Sequence, residues 1–207
     1  MEVRIRIKVI LSEAKNLKRL KSLASIIKKL ELRGSIYMDI TTIMDMLKKE
    51  LDSKRYQHSV NVMEVSRSLA KLYGADIEKA LLAGILHDCG KNYRGDDARE
   101  YVKKIRYKAD EIELLQPKLL HGIIGEHLAR YKYGISDEEV LGAIKWHTTG
   151  RAGMNLLEKI IYVADYIEPL RYFEGIEEMR KAAFEDLDYC IVLCSESTIK
   201  FILNKGV

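Results

Sequence analysis

His87 and Asp88 stand side by side at the end of a small apolar run, Leu82-Ala83-Gly84-Ile85-Leu86, with Cys89, Gly90 and Lys91 after them. Alone, such a pair says little. Three more histidines, His58, His121 and His147, and one more aspartate, Asp165, fall on the apolar stripes of their own helical segments. His58 shares a stripe with Val62, Val65 and Leu69, and His121 leads Ile124, Gly125 and Leu128. His147 follows Val140, Ala143 and Ile144, and Asp165 follows Leu157 and Ile161. In each case an ionisable group occupies the face that should meet the core. Buried without a partner, each would cost on the order of several kcal/mol. A hydrogen-bonded core histidine explains any one of them; the six together point to metal ions. His127 lies on a different face from His121 and is assigned no role.

Four imidazoles and two carboxylates exceed one tetrahedral site. They suit two cations with Asp88 bridging. Nitrogen-rich ligation argues against magnesium and calcium and for iron, manganese, cobalt or zinc. Two divalent ions less two aspartates leave a charge of about +2, which favours an anionic substrate and lowers the pKa of bound water toward neutrality.

The elements that must hold these groups read as helices almost throughout. From Ile40 onward the periodicity predicts segments at about 40–51, 53–73 (stopped by Gly74), 76–88, 95–105, 109–115, 118–133, 136–147, 154–167 (stopped by Pro169) and 175–204, the last broken near Leu187. Ser136 with Glu139 reads as a capping box. The fold class is all-α. Only 2 prolines occur in 207 residues, which permits long uninterrupted helices.

The net charge of +4 is unevenly placed. Residues 1–37 carry ten Lys/Arg against three Asp/Glu; residues 38–207 carry 25 against 28, a net of −3. The body of the chain is therefore no generic nucleic-acid binder. Residues 3–11 alternate like a strand, and 12–32 read as a basic amphipathic helix with Leu17, Leu20, Ala24 and Ile27 on one stripe. Residues 1–37 are read as a basic extension of uncertain role and 38–207 as the domain that does the chemistry. Cys89, Cys190 and Cys194 make no CxxC pair and suit free thiols in a reducing cytoplasm. No apolar run reaches the roughly 18 residues of a membrane span.

His58, then His87-Asp88, then Asp165 resembles the H…HD…D signature of the HD-domain metal-dependent phosphohydrolases. His121 and His147 resemble the additions of the branch that holds two metals. The words around them, Arg55-Tyr56-Gln57-His58-Ser59, Leu86-His87-Asp88-Cys89-Gly90-Lys91, Leu120-His121-Gly122, Ala143 through Arg151 and Ala164 through Arg171, are similar to the YqeK-type bacterial symmetrical bis(5'-nucleosyl)-tetraphosphatases. The resemblance covers about residues 40–205. It implies an HD-domain helical bundle around a dinuclear site and cleavage of diadenosine tetraphosphate into two ADP. It also implies iron as the usual metal, and His58, His87, Asp88, His121, His147 and Asp165 as ligands. The nucleophile would be a metal-held hydroxide attacking an inner phosphorus in line.

Around the ligands, Lys91 sits three residues beyond Asp88, where an ammonium reaches a phosphate oxygen. Thr148, Thr149, Gly150 and Arg151 leave the helix directly after His147, and their hydroxyls, backbone N–H groups and guanidinium suit a phosphate chain. Arg55 and Arg171 read equally as phosphate contacts or as ion pairs near helix ends. Glu168 reads as a partner behind the ligands. Trp146 and Tyr166 offer stacking surfaces, but aromatic residues at helical spacing more often belong to the core.

Two other readings stand beside this one. The same metal set serves phosphohydrolases acting on a nucleoside triphosphate or guanosine tetraphosphate; the Gly-Tyr-Pro signature of cyclic-dinucleotide esterases is missing. Some HD-type di-iron sites with this ligand count are oxygenases. A non-catalytic nucleotide-binding module would be expected to have lost ligands. Oligomeric state stays open, a homodimer included.

Overall fold

The computed structural model describes residues 38–205, so the strand expected at 3–11 and the basic helix at 12–32 lie outside the described residues. Among the described residues are ten α-helices, one short 3-10 turn and no strand. In chain order they are α1 (Ile40–Glu50), α2 (Ser53–Tyr73), α3 (Ile77–Leu86), α4 (Gly95–Lys104), α5 (Glu111–Leu115), the turn Pro117–Leu120, α6 (His121–Tyr131), α7 (Glu138–Trp146), α8 (Leu156–Ile167), α9 (Ile176–Glu185) and α10 (Leu187–Lys205). No described helix is long and apolar enough to cross a membrane.

Short polar side chains start most of these helices. Asp39, Asp52, Asp76, Asp110, Asp137 and Asn155 each accept a backbone N–H of the first turn, and Asp110 with Glu113 and Asn155 with Glu158 complete capping boxes. The start of α7 corrects one expectation: the cap is Asp137, whose carboxylate accepts from Glu139 N and Val140 N, and not Ser136. The carboxylate one residue later is the stronger acceptor and carries the charge that the helix start favours.

The long α2 lies along α3 and α8; α7 packs on α3, α6 and α8, and α9 and α10 close over α8. The main core runs through Ile43, Leu47, Val62, Met63, Leu69, Leu81, Ile85, Ile144, Ile161 and Val163, all fully or nearly fully buried. A smaller cluster, Ala98, Val102, Leu120, Ile123 and Ile124, seats α4 and α6. The segment expected at 175–204 is two helices that meet at Asp186, and that at 118–133 is a 3-10 turn followed by α6.

Two glycines set the spacing that the centre needs. A Cβ on Gly90 would strike the carbonyl oxygen of His121, and one on Gly122 would strike that of Lys145. These close backbone approaches bring the turn after α3 against the start of α6, and the start of α6 against the end of α7. The reactive side chains are thereby drawn from separate helix ends to one place.

Candidate metal centre

His87 and Asp88 do not lie inside a helix. They occupy the turn that follows α3, where Cys89 N donates to Leu86 O at 3.0 Å and Lys91 N to Asp88 O at 3.0 Å. His121 opens α6, His147 caps the end of α7, His58 sits in the second turn of α2 and Asp165 in the last turn of α8. The structure brings all six together. Ligand atoms of His58, His87 and Asp88, of His87, His147 and Asp165, and of Asp88, His121 and His147 lie within 4.8 Å of one another in each group.

The hydrogen bonds decide which ring atoms face inward. The Nδ1–H groups of His87, His121 and His147 donate to the carbonyl oxygens of Gly84 (2.8 Å), Lys118 (2.5 Å) and Ile144 (2.7 Å). His58 Nδ1–H donates to Glu168 Oε1 at 3.1 Å. All four Nε2 atoms are thus turned toward the middle, with the tautomer set from behind, as metal-binding imidazoles require. His58 Nε2 lies 3.1 Å from His87 Nε2 and 3.1 Å from Asp165 Oδ1. His121 Nε2 lies 3.0 Å from His147 Nε2. Two nitrogens bound to one ion at about 2.1 Å, roughly at right angles, would be about 3.0 Å apart, so the pairs already have the spacing of neighbouring ligands.

Asp88 divides its two oxygens between the pairs. Oδ2 lies 3.9 Å from both His58 Nε2 and His87 Nε2; Oδ1 lies 3.4 Å from His121 Nε2 and 3.5 Å from His147 Nε2. Oδ1 is buried and makes no hydrogen bond, although Lys91 Nζ stands 3.2 Å away. An unsatisfied buried carboxylate oxygen amid lone pairs is a place for a cation.

The electrostatics agree. Burial drives His87 and His121 toward neutral imidazoles, to about 4 and about 3, against the charge of Asp88. Burial would also raise Asp88 and Asp165. The imidazoles around Asp88, with Lys91, and His58 and Arg171 beside Asp165 instead hold both carboxyls well below their usual range. Burial opposes a charge on His58, but its hydrogen bonds to Asp165 and Glu168 lift it to about 9. Neutral His87 and His121, ionised carboxylates and a pull for positive charge around His58 suit a divalent cation.

The pattern of the HD domain matches residues 55–170, more than half of the chain. This chain belongs to the HD-domain family. Its relatives include proteins named "Bis(5'-nucleosyl)-tetraphosphatase, symmetrical" from Halalkalibacterium halodurans, 44% identical over 79% of this chain and 87% of that one, and from Bacillus subtilis, 40% identical over 77% and 86%. A crystal structure from Clostridium acetobutylicum, described as a predicted HD superfamily hydrolase involved in NAD metabolism, is 46% identical. It superposes with a TM-score of 0.80 over 82% of this chain and 90% of that one.

The candidate ligands are rimmed by cations. Arg55 Nη1 donates to Asp88 Oδ2 at 2.8 Å, Arg171 Nη2 to Asp165 Oδ1 at 2.5 Å, and Lys91 Nζ to His121 Nε2 at 2.9 Å. Both arginines therefore ion-pair, and they do so with the two candidate ligand carboxylates. Thr148 Oγ1 lies 3.0 Å from both His121 Nε2 and His147 Nε2. Thr149 is exposed and donates to Gly150 O, while Gly150 takes a left-handed φ of 63°.

Arg151 turns to Glu158, with Nε at 3.1 Å and Nη2 at 3.0 Å from the same oxygen, so its fork is already engaged in the HD domain. Tyr166 packs on Phe173 and shares a hydrogen bond with Thr198. His127 bonds Tyr101 away from the six. The fuller part of Glu168, with Asn61 donating to its Oε2 at 2.9 Å, was not legible in the sequence, since its partners lie more than 100 residues away. Cys89, Cys190 and Cys194 are buried free thiols.

Proposed function

We propose that this chain is a metal-dependent hydrolase that cleaves diadenosine tetraphosphate and related dinucleoside polyphosphates symmetrically into two nucleoside diphosphates. The observation that carries it is the convergence of four Nε2 atoms, each fixed by a partner on Nδ1, on the two oxygens of Asp88. The names of its relatives supply the substrate class. In this reading His58, His87 and Asp165 would hold one divalent transition-metal ion and His121 and His147 a second, with Asp88 offering an oxygen to each. Iron is the first choice, with manganese, cobalt or zinc compatible. Residues 38–207 form the catalytic domain, and 1–37 stand outside it.

When bound, the ions supply Lewis-acid polarisation of phosphoryl oxygens and a water acidic enough to attack near neutral pH. The chain's own groups do the rest. Arg55 and Arg171 hold the ligand carboxylates ionised and in place. Lys91 presents an ammonium at the mouth of the His121 side, where it binds a non-bridging phosphate oxygen and offsets charge on the departing diphosphate. Thr148 sets a hydroxyl beside the same oxygens, and Thr149, Gly150, Arg55 and Arg171 line the path of the phosphate chain, while Arg151 stays paired with Glu158. Burial of His87, Asp88, His121 and His147 keeps bulk water from competing for these contacts.

The test is a panel of dinucleoside polyphosphates and mononucleotides, given to metal-stripped protein reloaded with iron, manganese, cobalt or zinc, with products separated by chromatography. ADP alone from diadenosine tetraphosphate is expected. ATP plus AMP would mean asymmetric cleavage and overturn the reading. Preferential turnover of a nucleoside triphosphate or guanosine tetraphosphate would move it to that substrate. Activity confined to iron with consumption of O₂ would make it an oxygenase.

A further inference from the structure

We infer that Glu168 is a positioning residue that makes the two metal positions unequal by fixing the tautomer of His58. This rests on the two-cation reading above. Three of the four imidazoles lean on neutral backbone carbonyls, those of Gly84, Lys118 and Ile144. His58 alone leans on a carboxylate, Glu168 Oε1, at 3.1 Å. A carboxylate behind an imidazole makes the opposite ring nitrogen a stronger donor to a metal than a carbonyl does. The position formed by His58, His87 and Asp165 therefore binds its ion more tightly than the one formed by His121 and His147.

The surroundings of Glu168 are built for this. The residue is 1% exposed and follows the last turn of α8. Its second oxygen, Oε2, accepts from Asn61 Nδ2 at 2.9 Å and from Leu170 N at 2.8 Å. The Asn61 amide is itself oriented, because its Oδ1 accepts from Gln57 Nε2 at 3.0 Å. Every partner of the Glu168 carboxylate is thus a donor. The backbone that carries it is pinned by Arg180, which donates to the carbonyl oxygens of Ile167 (3.1 Å), Glu168 (3.0 Å) and Arg171 (2.9 Å). The carboxylate is held ready behind His58 by the protein itself.

This arrangement gives Glu168→Gln a specific consequence. The amide has one acceptor and one donor end. Asn61 Nδ2 and Leu170 N both demand the acceptor, which leaves the NH₂ facing His58 Nδ1. His58 must then accept there, carry its proton on Nε2, and present an N–H to the metal position. The change is isosteric, so the fold is retained while one ligand is blocked.

The experiment is a Mn²⁺ titration of metal-stripped full-length protein, followed by electron paramagnetic resonance and elemental analysis. The wild type is expected to take two ions in two separable steps. Glu168→Gln is expected to weaken the tighter step about 10–100-fold, with the looser step and the helical circular dichroism unchanged. Asn61→Ala keeps the carboxylate but frees it to turn, and should weaken the same step by a smaller factor; it also serves if the glutamine variant fails to fold. A wild type with two ions and variants that bind both as tightly would overturn the role of Glu168 alone, as would equal weakening of both steps, the mark of a merely structural residue. A wild type that takes a single ion would overturn the two-cation reading and this inference with it.

Discussion

His121 and His147 bring their Nε2 atoms to 3.0 Å from each other while the Nδ1 of each is engaged by a backbone carbonyl three residues back. The two rings reach this contact from different helices, because Gly122 lets α6 lie directly on the last carbonyls of α7. With their Nδ1 protons committed, the rings meet lone pair to lone pair, and a cation beside both turns that repulsion into binding.

Replacing either ring tests the second of the two proposed metal positions. His121→Ala and His147→Ala should each lower bound metal from two ions to one and reduce turnover by at least about 100-fold, since an ion in such a site supplies several kcal/mol of transition-state stabilisation. The helical circular dichroism should not change. Elemental analysis with steady-state assays checks this; a variant with two ions and full activity would refute the assignment.

Uptake at the His58 end should depend on pH. Its hydrogen bonds to Asp165 and Glu168 hold His58 protonated up to about 9, and an ion must displace that proton. The sign follows: apparent affinity at this position rises about tenfold per pH unit as pH climbs toward 9 and levels off above it. Calorimetry in buffers of different ionisation enthalpy should find about one proton released per first ion bound at pH 7.5. His87 and His121 are held neutral by burial and release none there.

Lys91 and Arg151 should behave differently although their positions in the sequence suit both to a phosphate. Lys91 Nζ touches only His121 and Asp88, the groups a metal ion would engage, and can then turn to a substrate oxygen, whereas Arg151 is committed to Glu158, away from the candidate ligands. Lys91→Met should lower kcat/KM about 10–100-fold, the effect of one hydrogen bond to a charged group. Arg151→Lys should change it less than about threefold. Equal losses in the two variants would show that Arg151 leaves Glu158 to bind substrate.

Gly122→Ala should be far more harmful than a methyl group at an exposed site. Its Cβ would meet the carbonyl oxygen of Lys145, part of a rigid helix end. Overpacking of this kind costs about 1–3 kcal/mol, and the shift falls on the His121–His147 contact. Denaturant unfolding should show the loss, and metal binding at that position should weaken with it.

The six candidate ligands were legible because each breaks the apolar stripe of its own helix, a local signal. The helical bundle was legible for the same reason. What the sequence hid was relational. Nothing near Glu168 announces a partnership with His58, 110 residues earlier, and nothing near Arg151 shows that Glu158 bends back to meet it. His87 and Asp88 continue a helical pattern but stand in the turn after it, because the chain must bend there to lay Gly90 on the start of α6. The choice of Asp137 over Ser136 as a cap was a competition between adjacent acceptors that spacing alone does not decide.

The most direct test of the account is anomalous X-ray diffraction from crystals of the metal-loaded protein. Two peaks about 3.5–4 Å apart are predicted, one against His58, His87 and Asp165, the other against His121 and His147, with Asp88 touching both. A single peak held by the HD pair alone, with His121 and His147 outside bonding reach of any metal, would contradict it.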